Sequence, residues 1–254
     1  MNNLLEKYKN IKKGDIIEFG SYPQSIISPN VYIEKKESDS TYYIGSDKEK
    51  YVVVKTEAFD DKNQKFSNGT KIEKGEEYFF RLEPIKWEVL ETKGDEILLF
   101  STLILDGHKF DKQSNIYKDS EIKKWLENDL YNMAFTDEEK RMIKETLVKD
   151  QDNVLNNIFS NIFLLSESEI KNTSYGFKKG ICDDNRCKMA TDYAKAKKVL
   201  VDKKTQTSVY WLRSIGDLLF GGVGCVAEKG RIESGILGID YGVAPAIWVD
   251  LKKN

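Results

Sequence analysis

The sequence predicts an α+β fold, because β-forming stretches at both ends of the chain enclose a helical middle. Apolar and charged residues alternate over 85–89, which is typical of a half-buried strand. Apolar residues recur at helical spacing over 122–131. Two aromatic, apolar arms, 210–214 and 242–251, flank the glycine-rich stretch 221–224 and predict paired strands whose backbones approach closely.

Composition indicates a soluble globular protein. The 254 residues include 40 Lys plus Arg and 42 Asp plus Glu, so the formal net charge is −2. No global field would therefore recruit nucleic acid or an anionic membrane. The 12 Phe, 13 Tyr and 4 Trp argue against disorder. A chain of this length buries enough surface to fold without a disulfide or a metal.

Targeting signals and cysteine usage predict a cytoplasmic protein. Residues 1–13 mix leucines with charges and lack the continuous apolar core of a secretory signal. No run approaches the ~18 apolar residues of a membrane span. Cys182, Cys187 and Cys225 form an odd set, which favours reduced thiols over a disulfide framework.

The N-terminal third is predicted to be rich in β-structure. Residues 4–11 have the pattern of a short amphipathic helix, and 16–20 that of a short strand, which 22–24 (Tyr-Pro-Gln) should end. Residues 41–44 and 51–54 are rich in β-formers on both sides of a Gly-Ser-Asp turn, which predicts a hairpin.

A second hairpin should follow a polar loop. The stretch 59–75 is polar and contains an Asn-Gly turn signal, so it is predicted to be a mobile loop. Residues 85–90 and 97–101 are joined by a Lys-Gly-Asp turn, and the second of these is apolar almost throughout. This hairpin is expected to belong to the core.

The middle of the chain carries helix-start signals. Ser120 precedes an amphipathic helix, and Thr136 and Ser166 each begin a capping-box pattern. The second box follows an apolar strand at 162–165, and a last short helix is predicted to start at Thr191.

No repeat or Pro/Gly linker divides the chain, and only four prolines are present. The simplest reading is one α+β domain over 78–254, with residues 1–77 as a β-rich extension or subdomain packed on it.

A set of motifs carries a family resemblance. In one-letter code they are EPIKW at 83–87, LFS at 99–101, IKKWLEN at 122–128, AF at 134–135, FLLS at 163–166, TDYA at 191–194, WLRS at 211–214 and GVAPA at 242–246. In this order they resemble an uncharacterised bacterial family of domains of unknown function, whose motifs read P-I-K-W-R-V-L, L-R-x-W-L-N, A-F, F-L-L-S, T-x-Y-A, W-W-L-R-S-P-G and G-V-R-P-A.

That family looks distantly like the C-type-lectin-like fold, which formylglycine-generating enzymes and phage-type variable binding proteins share. The resemblance therefore implies a C-type-lectin-like mixed domain with antiparallel sheets and a few short helices. Two departures matter: Ala244 replaces the family's frequent arginine, and Ile215 replaces the proline of S-P-G. If that arginine served a shared polar site, this chain has lost half of it.

Arg213 is the first candidate site residue. A guanidinium keeps its charge, so within an apolar strand it must meet either an anionic ligand or an internal carboxylate and carbonyls. Ala244 shifts the expectation towards the internal carboxylate and a structural role. Its neighbours Trp211 and Ser214, together with Trp248, could line a sugar or peptide site, although tryptophans in strands mostly pack in the core.

His108, the only histidine, lies between Asp106 and Asp111. This trio could serve a metal or acid–base site, but the spacing matches no ligand motif, and a polar surface turn is the preferred interpretation. No G-x-S-x-G elbow is present for a serine hydrolase.

The cysteines predict neither a redox centre nor a metal site. Cys182 and Cys187 are too far apart for C-x-x-C, which leaves a regulated disulfide as the alternative to two free thiols, and Cys225 is expected to be a buried small side chain. The copper-binding cysteines of formylglycine-generating enzymes do not map onto these positions. The basic stretch 195–204 lacks aromatic residues for base stacking and is interpreted as a solvated helix face.

Two functional classes follow. The first is a non-catalytic binding module that presents loops on a β scaffold to a protein, peptide or glycan, with Arg213, Trp211, Ser214 and His108 as candidate ligand contacts and no cofactor or metal. The second is an enzyme of the formylglycine-generating type. A pocket that joins Arg213, His108 and a carboxylate, or that has Cys182 and Cys187 at its floor, would favour the enzyme; an empty, shallow surface would favour the module. The residues do not define an oligomeric state.

Overall fold

A computed structural model describes residues 8, 10–38, 40–57, 64–149, 157–216 and 221–253. Strands dominate, and a few short helices accompany them. The strands are β1 (Ile16–Ile26), β2 (Ile33–Lys36), β3 (Tyr43–Gly45), β4 (Lys50–Lys55), β5 (Glu77–Lys93), β6 (Glu96–Ser101), β7 (Asp106–Lys109), β8 (Thr146–Lys149), β9 (Asn157–Ser160), β10 (Phe163–Leu164), β11 (Tyr210–Ile215), β12 (Val223–Val226), β13 (Ile232–Gly235), β14 (Asp240–Val243) and β15 (Pro245–Asp250).

The helices are concentrated in the middle of the chain, as the sequence predicts. They are α1 (residues 121–134, with a π-helical turn at Leu126–Leu130), α2 (Asp137–Met142), α3 (Glu167–Ile170) and α4 (Asp192–Ala196), with 3-10 turns at Tyr117–Asp119, Thr173–Tyr175, Asp184–Arg186 and Glu228–Gly230. Sheets that are almost entirely antiparallel, with segregated short helices, confirm the α+β class.

The strands form three sheets. The largest has eight strands in the order β10-β15-β6-β5-β4-β3-β2, with β1 added on β5. The second has the order β13-β12-β11-β14-β7, in which β11 and β14 are parallel. β8 and β9 make a separate antiparallel ribbon. The C-terminal arms are therefore divided between the two larger sheets: β11 and β14 belong to one and β15 to the other.

β5 is the strand on which the large sheet is built. It pairs with β1, β4 and β6. The pairing of β5 with β6 confirms the predicted hairpin at 85–101, and the pairing of β3 with β4 confirms the one at 41–54. Because β5 begins at Glu77, the strands on the two sides of the predicted boundary at residue 77 share one sheet. The division into 1–77 and 78–254 itself stays a prediction.

β1 corrects one prediction. The strand does not end at Tyr22-Pro23-Gln24 but continues to Ile26, with pairing irregularities before Ser21 and after Pro23. Among the described strands β1 pairs with β5 alone, so the missing N–H of Pro23 does not interrupt a central ladder. The predicted helix at 4–11 falls largely on residues outside those described, as does part of the predicted loop at 59–75.

All four predicted helix starts are confirmed by side-chain caps. Ser120 and Thr191 accept hydrogen bonds from the backbone N–H three residues on. Thr136 and Ser166 form complete capping boxes, in which Glu139 and Glu169 reach back to the cap backbone. These caps fix where the short helices begin, including α3, which borders the site described below.

The hairpin β5–β6 belongs to the hydrophobic core, as predicted, and both C-terminal arms share that core. Trp87 and Trp211 are 0% exposed. Trp248 departs from the expectation that tryptophans in strands pack in the core, because it packs against the core while part of it stays exposed. Within the described part of the chain, no helix has the length and apolar character needed to cross a membrane.

Candidate functional site

A groove of about 1020 Å³ is lined by several parts of the chain. The main ones are the ribbon at 146–148, the start of α3 at 166–169, residues 213–216 at and just after the end of β11, and Trp248 on β15; Lys93, Glu96, Lys144, Phe163, Lys171 and Tyr175 complete the lining. Charged side chains supply much of its lining: four cations, Lys93, Lys144, Lys171 and Arg213, and three carboxylates, Glu96, Glu167 and Glu169. The groove is the best candidate site in the described structure.

Arg213 lies in the wall of the groove and is 2% exposed. Its two terminal nitrogens donate to the two carboxylate oxygens of Glu169 at 2.6 and 2.8 Å, and one of them also donates to the Leu164 carbonyl at 2.6 Å. This bidentate pair is the internal carboxylate partner that the sequence predicts for Arg213. The ion pair joins β11 to the first turn of α3.

Glu169 has two roles at this position. It completes the capping box of α3 by accepting from the Ser166 N–H at 2.8 Å, and it neutralises Arg213. Burial alone would raise the pKa of the Glu169 carboxyl, but the charge and hydrogen bonds of Arg213 and the bonds from Ser166 outweigh it and lower that pKa below its usual value. The carboxyl is therefore held ionised and is a poor proton donor at neutral pH.

Ser214 fixes the same corner of the fold. Its hydroxyl oxygen accepts from the Glu167 N–H at 2.8 Å, and the Arg213 N–H donates to the Leu165 carbonyl at 3.0 Å. The hydroxyl thus supplies a second cap for the exposed N–H groups that begin α3. Both residues predicted as ligand contacts, Arg213 and Ser214, line the groove and also support its wall.

The remaining lysines of the groove also have acceptors or rings beside them. Lys144 Nζ lies 2.6 Å from a Glu96 oxygen, and Lys171 pairs with Glu167 one helical turn earlier. Lys93 Nζ lies 4.9 Å from the centre of the Trp248 ring and 3.2 Å from a Glu91 oxygen. The lining is therefore a set of paired charges around a partly exposed aromatic ring.

Trp211 and His108 lie elsewhere. Trp211 is enclosed, its indole N–H donates to the His108 carbonyl at 2.8 Å, and its ring packs 4.6 Å from that of Tyr241. The prediction that His108 lies in a polar surface turn is wrong. His108 lies in β7, where it pairs with Tyr241, and its ring stacks on that of Trp125 with the two ring centres 4.7 Å apart. Periodicity missed this strand because Asp106-Gly107-His108 has no β-forming pattern. The two residues contact each other and do not line the groove.

The acidic neighbours of His108 do not assemble a site with it. Asp106 is buried and accepts from the Tyr22 hydroxyl at 2.6 Å, and burial raises the pKa of its carboxyl to about 6. Asp111 instead accepts from backbone N–H groups of the turn at Gln113 and Ser114. Across the described residues, no three His, Cys, Asp or Glu side chains converge as a metal ion would require.

The cysteines are apart from the groove. All three are free thiols: Cys182 is exposed, Cys187 partly exposed and Cys225 buried. Burial, with a contribution from Glu233, raises the pKa of the Cys225 thiol to about 12, so it behaves as the small apolar side chain that the sequence predicts. Ala244, in place of the family's arginine, is 1% exposed between β14 and β15, where its methyl group fills the core.

Sequence reasoning missed two buried cations. Arg186 is 0% exposed and donates to five backbone carbonyls, those of Lys178, Gly180 and Ile181 among them. Lys188 Nζ is buried 3.8 Å from the centre of the Phe100 ring and donates to the Ser101 carbonyl at 2.5 Å. Their sequence surroundings are polar, so no local pattern distinguishes them from surface residues.

Comparison with known families gives one match. A family described as a domain of unknown function, DUF6273, matches residues 94–251, which cover β6 to β15 and every groove-lining residue except Lys93. No curated protein and no solved structure matches the chain. The matched residues make up more than half of the sequence, and the chain therefore belongs to the DUF6273 family of domains of unknown function.

Proposed function

We propose that the chain is a non-catalytic binding module, and that its groove receives part of a protein, a peptide or a glycan. The observation that carries the proposal is the pairing of the groove's charges. Arg213 with Glu169, Lys144 with Glu96 and Lys171 with Glu167 each place a cation against a carboxylate. Paired, hydrogen-bonded groups form a fixed surface for recognition and hold no proton ready for transfer.

The chemistry of the lining supports binding over catalysis. Among its described residues there is no histidine or cysteine, and the Ser214 and Ser166 hydroxyls accept from backbone N–H groups. A nucleophile needs a free base within hydrogen-bond reach, and the carboxylate beside the Ser166 hydroxyl, that of Glu169, is held ionised by its bidentate pairing with Arg213. The enzyme alternative called for His108 or the Cys182–Cys187 pair at a pocket with Arg213, and none of these residues lines the groove.

The fold belongs to the same proposal. We infer a distant relation to the C-type-lectin-like fold, in which a small sheet and irregular connections lie over a larger core. The support is the five-stranded sheet that carries the WLRS motif on β11, next to long connections rich in 3-10 turns. In such an arrangement the connections supply the binding surface, and the sheets hold them in place.

Arrays of immobilised peptides and glycans, probed with the labelled full chain, test the function. We expect at least one ligand class to bind, and Lys171→Glu in the groove to weaken binding by removing a lining cation. Lys118→Glu, on the 3-10 turn before α1 and outside the groove, is the matched control and should bind as the wild type does. Binding that ignores Lys171→Glu, or turnover of a bound ligand, would contradict the proposal.

A further inference from the structure

The ribbon of β8 and β9 presents an open strand edge. The two strands pair only with each other over the described residues, from Thr146 opposite Ser160 to Lys149 opposite Asn157. Each strand of such a ribbon has a second edge whose backbone N–H and C=O groups lack a strand partner. Those groups are a ready template for another extended chain.

The open edge of β8 faces the groove. Thr146, Leu147 and Val148 all line it, although successive side chains of a strand point to opposite faces. Leu147 is 45% exposed while Val148 is 3% exposed, which shows the two faces directly. A groove that touches consecutive residues from both faces runs along the backbone edge between them.

The chain has just left another strand at this point. Ile143 pairs with Val249 of β15, and the Lys144 N–H donates to the Trp248 carbonyl at 2.8 Å. After Lys144 the chain separates from β15 and pairs with β9 instead. The groove thus occupies the place where a strand neighbour is lost, with Trp248 in its lining.

An exposed apolar residue lies on this edge. Leu147, on β8, is 45% exposed and lines the groove, whereas Phe159, which is directly opposite it on β9, is 60% exposed and does not line the groove. Their neighbours Val148 and Ile158 are buried on the other face and anchor the ribbon to the core. Edge strands are commonly protected by charged side chains or a proline; residues 146–148 contain neither, and the charged residue of β8 is Lys149, at the end of the strand.

The charges of the described lining are balanced. Beside its four cations and three carboxylates lies Glu91, whose carboxylate is 3.2 Å from the Lys93 ammonium. A ligand with no net charge complements such a lining. A glycan offers neither the row of amides that the strand edge requires nor the apolar side chains that would cover Leu147.

Resting on the proposed function, we propose that the groove binds an extended peptide that adds as a strand to the open edge of β8. Alternate side chains of the peptide cover Leu147, and the others face the paired charges of the lining. The peptide's amides alternate in direction, so every second one bonds to β8 and the others face away. Affinity comes from the backbone bonds, and selectivity from the apolar contact with Leu147.

The test uses a randomised library of N-acetylated, C-amidated octapeptides and the full chain, with fluorescence polarisation of the best binder. We expect selected sequences to alternate apolar and polar residues and to carry no net charge. N-methylation of alternate amides in one phase should lower affinity by about tenfold or more, and methylation in the other phase should change it little. Leu147→Glu should weaken binding, whereas Ile116→Glu, at a 42% exposed position outside the groove, should not.

The outcomes separate the two proposals. Peptides that bind the groove with no phase dependence on N-methylation would overturn strand addition and leave the binding module standing. Glycans that bind while no octapeptide does would have the same meaning. Self-association of the chain that Leu147→Glu abolishes would make a second copy the occupant and would also overturn the peptide assignment. If neither peptides nor glycans bind, the proposed function itself fails.

Discussion

Two buried arginines, Arg186 and Arg213, differ in the groups that compensate their charge. Arg186 is enclosed, donates to five backbone carbonyls, and has its nearest carboxylate oxygen, on Asp183, 3.9 Å away. Arg213 has a bidentate carboxylate partner and lies in the wall of a groove. The first organises loops from within, whereas the second joins two elements next to solvent.

The difference between the two arginines indicates which one can belong to a binding site. The carbonyls around Arg186 belong to residues 170, 178, 180, 181 and 230. The guanidinium donates to these buried carbonyls the hydrogen bonds that a helix or sheet would otherwise supply. No ligand can reach it. Arg213 and its surroundings combine a fixed geometry with access, which is the combination that a binding site needs.

The largest effect is expected at the enclosed arginine. Arg186→Met should lower the free energy of unfolding by about 4 kcal/mol, because several buried carbonyls lose their donor and the charge near Asp183 is left uncompensated. Urea unfolding measures it. Arg141→Met, at a side chain that is 56% exposed, is the control and should change stability by less than ~0.5 kcal/mol. If Arg186→Met and Arg141→Met changed the free energy of unfolding by the same amount, Arg186 would not be the residue that holds these loops together.

At the groove wall, Arg213→Met should cost about 3 kcal/mol, because Glu169 is left ionised and only 26% exposed. The loss should be the same in the presence of any bound ligand. Replacing both partners, Arg213→Met with Glu169→Met, should recover part of the stability, since no uncompensated charge then remains. A double variant less stable than the single one would show that the ion pair contributes little and that other contacts of Glu169 dominate.

Lys188 sharpens the comparison, because a lysine, unlike an arginine, can lose its proton. Burial lowers the pKa of Lys188 to about 7, although the charge of Glu88 opposes the shift. Since the pKa of an unfolded lysine is about 10.4, the unfolded chain binds more protons between pH 7 and 10. The free energy of unfolding of the wild type should therefore rise with pH across that window. Below pH 7 this contribution is absent, because Lys188 is protonated in both the folded and the unfolded chain.

Lys188→Met should remove this dependence. The variant is expected to be more stable than the wild type by ~2 kcal/mol near pH 6, and the difference should shrink by pH 10. Thermal unfolding at a series of pH values measures it, with Lys118→Met as an exposed control. Parallel pH profiles for wild type and Lys188→Met would mean that the buried ammonium titrates normally.

The smallest effect on stability is expected at Trp248. Because its ring lies partly in the groove, Trp248→Ala should cost about 1–2 kcal/mol, less than the 3–5 kcal/mol typical of an enclosed tryptophan such as Trp211. Equilibrium unfolding of both variants makes the comparison. A loss above about 3 kcal/mol for Trp248→Ala would place its ring among the core residues and take it out of the binding surface.

Much of the fold could be predicted from local patterns. Ser120, Thr136, Ser166 and Thr191 mark helix starts because a cap uses residues within three positions. The hairpin β5–β6 could be predicted because its turn and its alternation are adjacent in sequence. β1 continued past Pro23 because tertiary pairing with β5 outweighed a local break signal.

The site was less accessible to prediction, because its contacts are distant in sequence. The need of Arg213 for a carboxylate follows from the guanidinium itself, and Glu169 was visible as part of a capping box. Nothing local joins two residues 44 positions apart, so the pair could not be named. The ribbon edge at Leu147 and the carbonyl cluster of Arg186 depend on which strands and loops meet, and side-chain periodicity does not contain that information.

The position of β5 has a practical consequence for work on fragments of this chain. The family match begins at residue 94, one position after β5 ends, so a fragment cut to the matched range would lack the strand that pairs with β6. Such a fragment would expose the edge of an almost wholly apolar strand, Ile97 to Phe100, and would be prone to aggregate. Expression of this chain should therefore begin upstream of β1, at a position chosen from the sheet and not from the limits of sequence similarity.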